Sequence, residues 1–382
     1  MNTRSADVPV FPGDSSVSTA APRLAWIDVA RAVALVLVVA GHTERGLVGA
    51  GIMAGETAQD FDLLVYSFHI PLFFLLSGLL FAPSIRRRPF VLTWKARTIR
   101  LVQPYLIWSI VLLGLIVLAA NLANTPVGAG DAFASLLLLP VQPVSIFWFL
   151  YTLLLCMAVS GLAIEYRYCT PGRLLFWSAV LHLAYLLLLS DRQSGLGLQF
   201  VRFAEHQLYF ALGIFLAPAV LENGDNRARS PNPIADAKSG TRIAIAAVFL
   251  ASCFLAAATA LVEFRLSYHS PVGTIAALSA SGAVLSACYF LVSVRNWSIP
   301  APVMTISKET LAIFCMHVPF VSGTRLAFSH FGIDGATLHL VSGTVIGICG
   351  PLLALKLMES LGLAAMAGFA SERRVQRFVR QP

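Results

Sequence analysis

Residues 24–43 read LAWIDVARAVALVLVVAGHT. At about 1.5 Å per residue, this apolar stretch is long enough to cross the roughly 30 Å hydrocarbon core of a bilayer as a single helix. It nevertheless contains Asp28, Arg31 and His42. An ionisable side chain inside a membrane helix is costly, so it usually has a partner or a function. The stretch therefore predicts a membrane-spanning first helix that carries part of a functional site.

The composition of the whole chain indicates that the bilayer is its solvent. Of the 382 residues, 57% are hydrophobic and only 12% are charged, and the mean hydropathy is +0.77. A soluble domain carries about 25% charged residues. We therefore predict an all-α integral membrane protein with about ten transmembrane helices. Their apolar runs cover residues 24–43, 61–81, 99–121, 132–164, 174–189, 208–221, 243–262, 272–294, 307–328 and 338–361.

Some of these runs differ from a plain span. Pro140 and Pro143 are expected to break the start of the fourth helix, because proline removes a backbone donor and clashes with the preceding turn. The fifth and sixth runs, 174–189 and 208–221, are shorter than the others, whereas a spanning helix needs about 20 residues. We expect the ends of these two helices to differ from the stated limits.

The distribution of Lys and Arg predicts the orientation. If the N-terminus is cytoplasmic, the inner loops and the C-terminal tail hold most of the basic residues. Cytoplasmic loops of membrane proteins are enriched in this way, so both termini are predicted to be cytoplasmic. The net charge of +8 is explained by the same pattern, which speaks against nucleic-acid binding. The outer segments hold fewer basic residues, namely Arg45, Arg192, Arg202, Arg265 and Arg325.

The two ends of the chain are predicted to lie outside the membrane domain. Residues 1–22 are rich in Ser, Ala and Pro and have no apolar signal-peptide core, so we interpret them as a disordered cytoplasmic tail. Residues 23–362 form the transmembrane domain, and 363–382 form a basic cytoplasmic tail. The six cysteines make no CxxC pair, which favours small apolar packing residues over metal or disulfide chemistry.

The polar residues of the first span have a helical spacing. Asp28 and Arg31 are three residues apart, so they can pair on one face. Arg31 and His42 are eleven apart and share that face at a separation of roughly 16 Å. Taken alone, Arg31 could anchor at the membrane surface and His42 could lie at the interface. Both interpretations stay open at this point.

Two further histidines fall inside apolar runs. His69 lies in the second span beside Pro71, with Ser77 and Gly78 two to three turns further on, and His317 lies in the ninth span. A single buried histidine is most often a hydrogen-bonded structural residue. Three histidines and an arginine in a chain so poor in charge instead favour a polar internal cavity. Their spacing does not specify a metal site, and none is expected.

Four motifs occur in order along the chain. They are IDVAR with a later GH (27–31 and 41–42), FHIPLFFLLSG (68–78), RLVQPYLIW (100–108) with a later FWFLY (147–151), and S-x-x-x-L-x-I-x-x-x-H-x-P (307–319). By these motifs the chain resembles the membrane-bound acyltransferases of the acyltransferase 3 family, from Trp26 to about Leu361. The family often has Gly after the motif Arg, whereas this chain has Ala32.

The resemblance implies an enzyme that acylates carbohydrate, with Arg31 and His42 as its essential pair. His42 suits a general base towards the sugar hydroxyl, because histidine exchanges protons near neutral pH. Arg31 suits an anionic or carbonyl oxygen, because guanidinium presents several fixed donors. Supporting or substrate-binding roles are predicted for Asp28, His69, His317, Trp148 and Ser77.

The donor implied by the resemblance is an acyl-CoA, and acetyl-CoA is the first candidate. Its phosphates would meet basic residues next to the second and third spans, although these residues also fit a plain topology signal. They are Arg86, Arg87, Arg88, Lys95, Arg97 and Arg100. The predicted partners are a glycan or lipid-linked sugar acceptor, membrane lipids and polysaccharide-assembly proteins, in the cytoplasmic (inner) membrane of a bacterium.

Other functions fit part of the pattern. A secondary transporter for a polar solute or glycan also has buried charges, but no two matched halves are found in the sequence. A non-catalytic scaffold or sensor leaves the spacing of Arg31 and His42 unexplained. Within the enzyme hypothesis, succinyl is the second candidate acyl group and a small glycosylated metabolite is the second candidate acceptor.

Overall fold

Helices account for nearly all of the regular structure in this computed structural model, which describes residues 25–87, 90–119, 127–166, 168–190, 197–229 and 233–369. No β-strand occurs among those residues. A 3₁₀ turn covers Ser145–Phe147 and a π-helical turn covers Phe290–Val294. The α-helices are α1 (Ala25–Gly49), α2 (Glu56–Arg87), α3 (Phe90–Leu118), α4 (Ala129–Leu137), α5 (Trp148–Glu165), α6 (Pro171–Leu188), α7 (Leu198–Arg229), α8 (Pro233–Glu263), α9 (Pro271–Tyr289), α10 (Ala301–Lys308), α11 (Thr310–His330) and α12 (Ala336–Ser360).

Ten of these helices are long and apolar enough to cross a membrane. They are all of the helices except α4 and α10, so the predicted all-α multi-pass fold is confirmed. The bundle end at which α1 begins, near Ala25, is called the proximal end, and the end at which α1 finishes, near Gly49, is called the distal end. The proximal end is the one that the charge distribution predicts to be cytoplasmic.

Helix α1 lies at the centre of the bundle. It packs against α2, α9, α10, α11 and α12, and its Ala30, Ala34, Leu35 and Val39 side chains are fully buried. Small residues on such a helix let neighbouring backbones come close, which is how membrane helices gain packing energy without a hydrophobic driving force. The predicted functional motif of α1 is therefore surrounded by protein and does not face lipid.

Helices α2 and α7 make a close backbone contact. A Cβ atom added at Gly78 would lie 2.0 Å from the carbonyl oxygen of Phe210, and one added at Gly213 would lie 2.1 Å from the carbonyl oxygen of Leu75. Only glycine fits at either position. The two helices are thereby held at a fixed separation, and both carry side chains of the candidate site.

The predicted spans begin at other residues in the structure, and the starts of the fourth and the sixth differ the most. The fourth is divided as expected, because α4 ends before Pro140 and the spanning part begins at Ser145. The ninth begins at Thr310, because Ser307 belongs to the separate short helix α10. The sixth begins ten residues earlier than predicted, at Leu198 instead of Leu208. Arg202, which we predicted to lie in an outer loop, is therefore part of α7.

The connection between α4 and α5 is anchored by two tyrosines. The Tyr105 hydroxyl donates to the carbonyl oxygen of Leu139 at 2.5 Å, and the Tyr151 hydroxyl donates to that of Pro140 at 3.1 Å. Ser145 then takes a left-handed conformation with φ of 48°, which turns the chain into α5. These constraints place Trp148 at the distal start of α5.

The segment after α12 folds back along α3. The Gln103 side chain donates to the carbonyl oxygen of Ala365 at 3.0 Å, and the Trp108 indole donates to that of Ala367 at 3.1 Å. The Phe369 ring stacks on Trp108 at 5.8 Å between centroids. The RLVQPYLIW motif thus has a structural role, which is to hold residues 361–369 against the bundle.

Replacement of Gly368 by alanine is expected to detach this segment. Gly368 has φ of 87°, and an added Cβ would lie 2.9 Å from backbone atoms of Pro104. Gly362 is the matched control, because it also has a positive φ but no atom within 4 Å of the Cβ position. We expect Gly362→Ala to cost only the backbone strain of about 1 kcal/mol, and Gly368→Ala to cost about 1–3 kcal/mol more, in thermal unfolding of the protein in nanodiscs. Equal losses in the two variants would contradict the docking.

Candidate active site

A cavity of about 190 Å³ lies among α1, α2, α5, α7 and α11, towards the distal end. One water molecule needs only about 10–15 Å³ of such space, so the cavity can hold a sugar or acyl group. Besides tyrosines, the helices contribute six ionisable side chains to its lining, which is unusual inside a membrane domain. They are His42, His69, Glu205, His206, Arg45 and Arg202, and the connection between α8 and α9 adds Tyr268 and His269.

His42 lies on the first wall of this cavity, with His317 beside it. Their rings are 5.1 Å apart between centroids. The Nδ1–H of His317 donates to carbonyl oxygens of its own helix, at 2.8 Å from Phe314 and 3.2 Å from Ile313. Its Nε2 is buried and has no hydrogen-bond partner among the described residues. The neutral ring therefore presents an unshared lone pair beside His42, which is itself partly accessible in the cavity.

His69 and Tyr66 continue this wall along α2. The Nδ1–H of His69 donates to the carbonyl oxygen of Val65 at 2.6 Å, which leaves Nε2 for a ligand or a neighbour. The Tyr66 ring lies edge-on to both His69 at 4.6 Å and His42 at 6.3 Å. Its hydroxyl is buried and makes no hydrogen bond within the described part of the chain. Tyr66 is thus an unused donor next to the histidines.

Arg45 closes the wall at the distal rim. Its guanidinium lies over the Tyr66 ring, 3.2 Å from the centroid, and makes a two-pronged contact with the Asp62 carboxylate at 2.5 and 3.1 Å. It also approaches the Tyr268 hydroxyl at 3.4 Å. Burial raises the pKa of Tyr268 although Arg45 acts in the opposite direction, so this hydroxyl keeps its proton at neutral pH. The positive charge of Arg45 is neutralised by Asp62.

Trp148 and Arg202 begin the second wall, on α5 and α7. The Arg202 guanidinium lies over the Trp148 ring at 4.7 Å, and the His206 ring lies 5.5 Å from the same indole. His206 is held in place because its Nδ1–H donates to the carbonyl oxygen of Arg202 at 2.8 Å. The Trp148 ring, the Arg202 guanidinium and the His206 imidazole thus line the same side of the cavity.

Glu205 lies between Arg202 and His206 in the sequence and belongs to a buried polar cluster. Its Oε1 is 2.8 Å from His269 Nδ1, and the Tyr185 hydroxyl lies 2.7 Å from the same nitrogen. Its Oε2 is 3.7 Å from His206 Nδ1. The carboxylate is therefore turned towards histidines. Within the described ranges, no group of three His, Cys, Asp or Glu side chains is arranged to hold a metal ion.

The structure does not bring Arg31 into this cavity. Arg31 pairs with Asp28 at 3.6 Å, one turn away on α1, which confirms the contact predicted from their spacing. The Ser307 hydroxyl on α10 donates to the same carboxylate at 2.8 Å. Arg31 therefore belongs to a proximal cluster about 16 Å from His42 along the helix axis. Ser77 is partly buried on α2 and also lies outside the cavity lining.

The basic residues predicted to bind the donor lie at the proximal end. Lys95 and Arg100 are exposed on α3, and the Arg97 guanidinium lies 5.0 Å above the Phe81 ring. Arg88 and the side chains of Arg86 and Arg87 lie outside the described residues. Along α2, position 86 is about 26 Å from His69. The predicted donor cluster and the cavity are thus at opposite depths of the same bundle.

Sequence reasoning missed the second wall and the rim. His42, His69 and Trp148 were predicted from the sequence and line the cavity, with His317 beside it, whereas other lining residues were not singled out. These are Arg45, Tyr66, Arg202, Glu205, His206, Tyr268 and His269. One feature of the sequence could have indicated them. The sixth apolar run is too short to span a bilayer, so the polar residues before it had to belong to the same helix.

Comparison with known families agrees with the sequence motifs. A family model for an acyltransferase domain of the acyltransferase 3 type matches residues 24–356, nearly the whole chain. The chain belongs to this family. It is an acyltransferase, and the transporter hypothesis is correspondingly disfavoured. No curated protein and no solved structure shows a significant match to the chain.

Proposed function

We propose that the protein transfers an acyl group from an acyl-CoA to a sugar hydroxyl of an exopolysaccharide or another cell-surface glycan. Acetyl is the first candidate acyl group and succinyl is the second. The observation that carries this proposal is the cavity in which His42 lies beside the unpartnered Nε2 of His317. A base of this kind is what a hydroxyl nucleophile requires.

In the proposed reaction, His42 accepts the proton of the sugar hydroxyl as its oxygen attacks the thioester carbonyl carbon. The new C–O bond forms, the C–S bond breaks, and His42 returns the proton to the departing thiolate. Nε2 of His317 accepts a hydrogen bond from the protonated His42 ring and stabilises it. The free Tyr66 hydroxyl, supported by the neighbouring Arg45, is positioned to donate to the developing oxyanion.

The donor is proposed to enter from the proximal, cytoplasmic end. There the CoA phosphates would meet Lys95, Arg97 and Arg100, and the Asp28–Arg31–Ser307 cluster would hold a carbonyl or phosphate oxygen of the donor. The thioester end then has to extend towards His42. The acceptor glycan, free or lipid-linked, would approach from the distal side. The protein would accordingly act in the cytoplasmic membrane of a bacterium, next to polysaccharide-assembly proteins.

The direct test uses the purified protein in lipid nanodiscs with surface glycan isolated from cells that lack the chain. Acetyl-CoA and succinyl-CoA carrying ¹³C in the acyl carbonyl are supplied separately. We expect free thiol to appear together with a ¹³C ester signal in the NMR spectrum of the glycan. Thiol release without a glycan ester would refute the acceptor, and the absence of both would refute acyl transfer from CoA.

The role of the proximal cluster can be tested on α10. Ser307→Ala removes one charge-assisted hydrogen bond to Asp28, worth about 1.5–3 kcal/mol, and should loosen Arg31. We expect the KM for the acyl-CoA donor to rise about tenfold with little change in kcat. Thr305→Ala is the matched control, because the Thr305 hydroxyl donates to the carbonyl oxygen of Ala301 on its own helix and to nothing else among the described residues. An unchanged donor KM in Ser307→Ala would exclude Arg31 from donor binding.

A further inference from the structure

Arg202 is a half-buried cation that faces the cavity from within a membrane-spanning helix. Its guanidinium is supported by the Trp148 ring. Within the described part of the chain, no carboxylate lies at ion-pair distance from it. An arginine within the first turns of a membrane-spanning helix is costly unless an anion or a polar ligand compensates the charge. The aromatic support fixes the guanidinium and leaves its N–H donors available.

The neighbouring carboxylate compensates the charge of Arg202 only in part, because it is not within ion-pair distance. Glu205 follows one turn later on α7, but its Oε1 is held by His269 and its Oε2 is closest to His206. The histidines therefore occupy the carboxylate that would otherwise pair with Arg202. An internal ion pair within α7 would have been the ordinary arrangement for residues three apart.

Two other distal arginines show the ordinary arrangement. Arg45 is paired with Asp62. Arg265, in the connection between α8 and α9, contacts Glu56 at 2.9 Å and Asp60 at 3.1 Å. Both are more exposed than Arg202, and yet each has a carboxylate partner. The least exposed of the three cations is the one without a carboxylate at ion-pair distance, and it lines the cavity.

We propose that Arg202 binds a carboxylate of the ligand. This inference rests on the proposed acyl transfer and adds that one of the two substrates is acidic. The carboxylate has two chemical sources, which are the free end of a dicarboxylic acyl group such as succinyl and an acidic sugar of the acceptor glycan. In both cases Arg202 forms a charge-assisted pair, while the Trp148 face packs against the carbon skeleton of the ligand.

The test compares wild type, Arg202→Gln and Arg202→Lys with Arg265→Gln as the matched control outside the cavity. Thiol release is measured with succinyl-CoA and with butyryl-CoA, a neutral donor of the same chain length. The acceptor is surface glycan from cells that lack the chain, either native or with its carboxyl groups chemically reduced to alcohols. Binding is measured independently as the shift in unfolding temperature with succinate against succinamide and with glucuronate against glucose.

If Arg202 binds the acyl carboxylate, wild type should prefer succinyl-CoA over butyryl-CoA. Arg202→Gln should then reduce this preference about 10–100-fold on both native and reduced glycan. An acidic acceptor predicts that Arg202→Gln raises the KM for native glycan by the same factor, with either donor, and leaves reduced glycan unaffected. In both cases Arg202→Lys retains part of the effect and Arg265→Gln behaves as wild type.

Two results would overturn the assignment. One is an Arg202→Gln variant that is unchanged, or that is weakened equally with every donor and glycan. The other is a wild type that is stabilised no more by succinate or glucuronate than by their neutral counterparts. If wild type releases no thiol from either donor, acyl transfer itself fails, and the unfolding measurements alone then decide whether Arg202 binds carboxylates.

Discussion

Replacement of His42 by alanine is expected to abolish acyl transfer while the protein remains folded in the membrane. Loss of a general base alone lowers a rate by about 10²–10⁴-fold. The variant should keep its stability, because the His42 ring is partly accessible at a cavity surface, where it meets Tyr66 edge-on and His317 at a tilt. The measurement is initial thiol release together with ester formation on the glycan, at equal amounts of folded protein.

His330→Ala is the appropriate control for this substitution, since His330 is exposed at the distal end of α11. His317 offers a sharper comparison. It acts on the substrate only through His42, so it is a positioning residue, and His317→Ala should slow transfer less than His42→Ala does. The double variant should be no slower than His42→Ala alone, because residues that act as one unit are not additive. If the rate loss of the double variant instead equalled the product of the two single losses, His317 would be shown to contact the substrate itself.

The membrane fold was predictable because the relevant physics is local. A helix satisfies its own backbone hydrogen bonds, so an apolar run of sufficient length is enough to predict a span. Polar residues within such runs then indicated the site, and His42, His69 and Trp148 do line one cavity, with His317 beside it. No long-range pairing had to be known for these predictions.

The second wall was missed because spans were predicted only where the sequence is continuously apolar. Arg202, Glu205 and His206 lowered the hydropathy of the first half of α7, so the predicted helix began only at 208. In the structure their polar groups are buried against Trp148 and against His269 of the α8–α9 connection. Neighbouring helices remove such residues from lipid, and hydropathy along one segment contains no information about them. A span that is too short is therefore itself an indication of a polar cavity.

The sequence predicts a shared helix face for Arg31 and His42, but it does not predict which elements surround each of them. Both lie on α1, whose proximal turns contact α10 through Asp28 and Ser307, whereas His42 contacts α11 through His317. A shared helix face fixes the distance between two residues and does not show which elements pack against each. The two residues of the predicted pair thus belong to different clusters, which suits a donor held at one depth and a transfer at another.

Gly213→Val is expected to prevent assembly of the bundle. The added Cβ would lie 2.1 Å from the carbonyl oxygen of Leu75 and 2.7 Å from the amide nitrogen of Leu79. These are backbone atoms of a helix, so they cannot move aside as a side chain does. Overpacking of a core costs about 1–3 kcal/mol when side chains can adjust, and we expect a larger loss here. The measurement is the yield of monodisperse protein and its unfolding temperature.

Gly114→Val is the matched control, because Gly114 is also a helical glycine in a span but has no atom within 4 Å of its Cβ position. Near-normal yield of Gly114→Val with loss of Gly213→Val would show that the α2–α7 contact holds the bundle together. The smaller substitution Gly213→Ala then separates fold from function. It should push α7, with Arg202 and Glu205, away from α2, with Tyr66 and His69, and so lower transfer more than stability. Equal unfolding temperatures of the two valine variants would contradict the close backbone contact.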